Sequence, residues 1–175
     1  MELLDKSEFI GDSTIIMMTS MDTFNACQKI RGWTISANFS VGGFEWLAFS
    51  KEQTEKMIVI SSQRNTIVNC NNGKIEDCNI VFDEEELVAY CDKLKDEELC
   101  IVGQYGGTLP QLSGKGEKVA IDATDNHIMR IVFIRNWHDK TLIYHCYDAY
   151  TCGFSYDGNY FVLADDGGIL ILKRQ

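Results

Sequence analysis

Residues 148–172, DAYTCGFSYDGNYFVLADDGGILIL, narrow what this chain can fold into more than any other stretch. Short apolar runs at 150–155, 159–164 and 169–172 alternate with the turn signals Asp157-Gly158 and Asp165-Asp166-Gly167-Gly168. Asp-Gly and Gly-Gly supply the positive φ that tight hairpin turns require, so the three runs are expected to fold back on one another. The unbroken apolar block at 160–163 fits a strand covered on both faces.

An echo lies about a hundred residues earlier, at 46–69, WLAFSKEQTEKMIVISSQRNTIVN. Phe49-Ser50 parallels Phe154-Ser155, the block at 57–60 parallels 160–163, and Ile67-Val68 matches 169–171. The two segments resemble the inner strands of β-propeller blades of the WD40-like kind, in which a short F-S-x-D-G turn precedes an apolar strand. The resemblance implies propeller-like sheets. It is confined to these segments and lacks both the WD dipeptide and a regular period of about 40–45 residues. The residues themselves predict a mainly β fold: an antiparallel meander or stacked hairpins, sandwich or propeller-like, with one or two short helices packed on a sheet.

A chain of 175 residues suits one domain, 1–175, with sub-halves 1–102 and 117–175 joined by the glycine-rich residues 103–116. Its 45% hydrophobic and 11% aromatic content excludes a disordered chain. No apolar run approaches the roughly 18–20 residues of a membrane-spanning helix. Residues 1–10 carry acids where a signal peptide carries bases, so a cytoplasmic location is expected. Seven cysteines there read as reduced and largely buried thiols, and the odd count argues against a complete disulfide framework.

The net charge of −10 is concentrated. Residues 76–98 hold ten acids against Lys93 and Lys95 alone. Such a field repels phosphate backbones and attracts basic surfaces, so neither nucleic acid nor membrane is an expected partner.

Further local signals order the rest of the chain. Residues 13–19 read as an early strand. Residues 21–31 read as a short helix, with Met21, Phe24, Cys27 and Ile30 near helical spacing and Gly32 as its cap. Residues 33–40 alternate as a strand with Trp33, Ile35, Ala37 and Phe39 on one face. After a strand to Phe49, Ser50 and Gln53 fit a capping box. Strands follow at 57–62 and 66–70, and Asn72-Gly73 turns the chain into 75–82. Residues 83–94 predict a helix: Asp83 caps it, Glu86 completes the box, and Leu87, Tyr90 or Cys91, and Leu94 form its stripe. A strand at 98–103 leads into the loop at 103–116, which lacks P-loop order. Strands at 117–123, 127–135 and 141–147 then join the last three runs as six successive antiparallel strands.

No chemistry stands out. No C-x₂₋₄-C or H-x₃-H pair marks a metal site; Cys70 and Cys78 flank a hairpin turn, and His145, Cys146 and Cys152 cluster without such spacing. Among His127, His138 and His145, only His138 falls in a loop, and no G-x-S-x-G elbow is present. Neither catalytic residues, metal ligands nor a cofactor are expected. Tyr105 and Trp137, aromatic and in loops, suit interface anchors.

These features together predict a non-enzymatic, cytoplasmic protein-binding module. It would engage a basic protein surface, like an immunity or regulatory partner by analogy, through Glu84, Glu85, Glu97 and Glu98, with Tyr105, Trp137 and His138. The alternative is a Cys/His-dependent enzyme or metal-binding module around the loops at 103–116 and 137–138. The apolar run at 169–172 also leaves room for a homo-oligomer through an open strand edge.

Overall fold

The computed structural model describes residues 17–124, 126–147 and 149–175. The predicted early strand at 13–19 lies largely outside these; Met17, Met18 and Thr19 are irregular. The fold is mainly β and antiparallel, with one short helix, α1 (Ser20–Gln28). Thr19 caps α1 through a box with Asp22, each side chain accepting the other's backbone N–H. Phe24 and Cys27 face the core, while Met21 is exposed.

The strands form four sheets. β1 (Trp33–Phe39) leaves its neighbours in sequence to pair with the far end of the chain. β2 (Phe44–Phe49), β3 (Lys56–Ser61), β4 (Asn65–Asn69) and β5 (Ile75–Asp77) form a meander. The chain then makes a separate three-stranded meander from β6 (Ile80–Asp83), β7 (Val88–Cys91) and β8 (Leu94–Cys100), and returns with β9 (Val102–Gly103) to the edge of β2. β10 (Lys118–Ala123), β11 (Ile128–Asn136) and β12 (Asp139–Tyr147) make a third sheet. β13 (Thr151–Phe154), β14 (Tyr160–Asp165) and β15 (Gly168–Arg174) make the fourth, which β1 completes against β15.

Three apolar layers lie between these sheets. Val119, Ile131, Phe133 and Ile143 of the β10–β12 sheet meet Phe161, Leu163 and Leu172. The opposite face of the same β13–β15 strands, Val162, Ala164 and Ile171, meets Leu47, Met57 and Val59. The far face of β2–β4, Trp46, Ile58, Ile60 and Ile67, meets Ala89, Cys91 and Leu99 of the β6–β8 sheet. Alternation along a strand sends successive side chains to opposite faces, so the apolar blocks 57–60 and 160–163 each serve two layers.

Several expectations are corrected. Residues 83–94 are not a helix but a turn followed by β7 and the start of β8. The Asp83 carboxylate accepts from Glu85 and Glu86 N–H, the bonding pattern of a helix cap, yet Leu87 enters the left-handed region at φ 55° and reverses the chain. The expected strand at 75–82 is divided at Cys78-Asn79, where the backbone passes from one sheet to the next. In β1 a bulge between Ile35 and Ala37 turns Trp33 and Ile35 into one layer and Ala37 and Phe39 into another, so they do not share a face. The six-strand run is two separate meanders: β12 pairs with β11 and β13 with β14.

The glycine-rich segment is bonded along the molecule. Phe154 N–H donates to Pro110 O at 2.8 Å, the Gln111 amide donates to Cys152 O at 3.0 Å, and Leu109 is buried. It straps the free edge of β13.

Candidate functional site

The β6–β8 sheet has one face in the core and one in solvent. Ala89, Cys91 and Leu99 point inward; Val81, Tyr90 and Glu98 point outward. Val81 is paired with Tyr90 and is 74% exposed, and the Tyr90 hydroxyl donates to Glu98 at 2.6 Å. That bond to the carboxylate raises the Tyr90 hydroxyl pKa above its usual value. Asp83, Glu84, Glu85 and Glu86 project from the β6–β7 turn at the end of this face, all exposed. The result is a small apolar and aromatic centre bordered by carboxylates.

The expected binding residues are distributed unevenly. Glu85 and Glu98 lie on this exposed surface. Glu84 accepts from the Trp46 indole at 3.4 Å, and the Tyr105 ring, 69% exposed, meets the Trp46 ring edge-on at 5.9 Å. Glu84 and Tyr105 therefore share one corner. Glu97 is different: it is 6% exposed, and its carboxylate accepts from the Ser50 hydroxyl and the Lys51 N–H, each at 2.6 Å. It clamps β8 to the end of β2 and is no part of the exposed surface.

Trp137 and His138 lie elsewhere, in the β11–β12 turn. The row Lys118, Ile134, Lys140 crosses that sheet by register. Trp137, 70% exposed, has Lys118 Nζ at 5.7 Å and Lys140 Nζ at 5.5 Å from its ring centre. A cleft of about 340 Å³ opens beside it. The neighbouring Arg135 and Arg31 both bond Asp139, at 2.6 and 3.0 Å. This surface is cationic, opposite in sign to the β6–β8 face. Neither cysteine nor histidine lines the cleft among the described residues, and His138 is an exposed turn residue whose N–H donates to Asn136.

The thiols also separate. Burial pushes Cys27, Cys70, Cys78 and Cys152 up to about 12, so these thiols hold their protons at neutral pH. Cys70 and Cys78, flanking one turn in sequence, sit in different apolar layers. Cys78, Cys91 and Asp92 instead come together, with ligand atoms all within 4.8 Å of one another. The β6–β7 register creates this group. The helical reading of 83–94 placed Cys91 on an apolar stripe and so hid it.

Comparison with protein-family models, with curated proteins and with solved structures finds no match to this chain.

Proposed function

We propose that this protein is a protein-binding module whose exposed β6–β8 face docks on a basic protein surface. The observation that carries the reading is the composition of that face. Val81 and Tyr90 form an apolar and aromatic centre, with Asp83, Glu85 and Glu86 at the turn that ends the face and Glu98 beside Tyr90. Aromatic and apolar anchors at the centre of a patch supply contact energy, while rim charges govern encounter rate and partner choice. The acidic run at 76–98 gives the surface its sign, and Lys93 and Lys95 are the only bases within it.

The test compares proteins retained from host extract by the immobilised wild type and by two variants. One combines Glu85→Lys, Glu86→Lys and Glu98→Lys; the other is Val81→Asp. The expected result is a basic protein held by the wild type, released by added salt and lost from both variants, with its affinity then measured on purified components. Retention of the same proteins by all three forms would overturn the reading.

A further inference from the structure

We propose that Cys78, Cys91 and Asp92 form a zinc site at the junction between the β2–β5 and β6–β8 sheets. This does not depend on the docking reading above. The three ligand atoms lie within 4.8 Å of one another. Cys78 occupies the two-residue passage between β5 and β6, Cys91 ends β7, and Asp92 follows it in the turn to β8. Two thiolates and a carboxylate are a donor set suited to a borderline-soft, tetrahedral cation, with a water completing the fourth position.

The surroundings of the three groups suit a ligand set. Ile80 is paired with Cys91, and Cys78 lies two residues before Ile80, where the chain crosses from one sheet to the other. The carboxylate is held in place through both of its oxygens. Asn79 donates its N–H to Asp92 Oδ1 at 3.1 Å and its amide to Oδ2 at 2.9 Å, and Asp92 N–H returns a bond to Asn79 O at 3.0 Å. Ligating carboxylates characteristically carry such outer partners.

On binding, the cation replaces the two thiol protons, which pass to solvent. No electron transfer is involved. The bound ion would join the sheet crossing to the β7–β8 turn and so fix the angle at which the acidic sheet stands.

The experiment uses the full chain, reduced and stripped of metal, titrated with Zn²⁺ alone and then with Co²⁺. One equivalent is expected to bind, and the cobalt form should show a sulfur-to-cobalt charge-transfer band. Cys78→Ser and Cys91→Ser should remove that band, while Cys100→Ser, at an exposed thiol outside the group, keeps it. Asn79→Ala should weaken zinc binding about 10–100-fold through loss of the outer bonds. Asp92→Asn is an exposed change and keeps the test valid if the cysteine variants fold poorly: it should weaken binding while leaving the circular dichroism unchanged. Equal zinc uptake by the wild type and the Cys78→Ser/Cys91→Ser double variant would overturn the site. So would a cobalt form without the thiolate band, or a reduced protein that takes up no zinc and oxidises to a 78–91 disulfide.

Discussion

At β8 the side chains of Glu97 and Glu98 leave one strand on opposite faces, and their roles divide accordingly. Glu97 is buried and accepts two short hydrogen bonds, from the Ser50 hydroxyl and the Lys51 N–H, whereas Glu98 is exposed and accepts from the Tyr90 hydroxyl. Removing a charged acceptor from buried donors costs about 1–3 kcal/mol, and Glu97→Gln should lower stability by that amount. Glu98→Gln, at the surface, should stay within about 0.5 kcal/mol. Urea midpoints of the two variants test the contrast. The Phe-Ser echo has a residue-level cause as well. Ser50 and Ser155 each follow the last residue of a strand, lie buried, and accept a backbone N–H through Oγ, from Gln53 and from Tyr160. Each then donates to a carboxylate, Glu97 at 2.6 Å and Asp157 at 2.7 Å. The preceding phenylalanines fill the core. Repetition in the sequence therefore reports a repeated way of closing a strand.

Between elements, a bidentate ion pair joins the segment leading into β10 to the end of β15. Arg174 donates to both oxygens of Glu117 at 2.6 and 2.7 Å and to Gly158 O at 3.0 Å, and its guanidinium lies 4.7 Å from the Trp33 ring centre. The Arg174 bonds hold the Glu117 carboxyl down to about 2, against an ordinary value of 4.5. A depressed carboxylate adds stability that is complete above its unfolded pKa and lost as pH falls through the folded one. Stability should therefore decline between about pH 4.5 and 2, and Glu117→Gln should flatten that decline in denaturant titrations across the window. Some slope should remain, because Asp22, Asp92, Asp157 and Glu76 are also held below their ordinary values. The predicted helix at 83–94 failed at this level. Asp83 bonds the following N–H groups as a helix cap does, so the start signal was real. Residues β-paired on both sides then outweighed local preference: β7 is flanked by β6 and β8. Once that hairpin replaces the helix, Cys91 comes to Cys78 and the acids at 83–86 gather in one turn.

Across the whole molecule, two inner sheets are buried on both faces and two outer ones on a single face. Phe161 is fully buried among Phe133 at 5.3 Å and Phe154 at 5.2 Å, with Trp33 beyond. Phe161→Ala should cost about 3–5 kcal/mol, because the aromatic cluster cannot collapse around the void. Val81→Ser, on the solvent face of β6, should change stability by less than about 0.5 kcal/mol. Thermal and urea unfolding of the two variants measures the difference. By itself the sequence determined the class of fold and most of its strands, because apolar period and Asp-Gly, Asn-Gly and Gly-Gly turns act over a few residues. It also determined the strongly acidic run at 76–98. Only the tertiary structure decided which sheet each hairpin enters and that β1 pairs with β15. It alone decided that the β1 bulge divides one strand between two layers, that Glu97 is internal while Glu98 is not, and that Trp137 stands among lysines away from the acids. These outcomes depend on pairings between residues far apart in the chain, and a single-residue shift of register or one bulge reverses the face a side chain occupies.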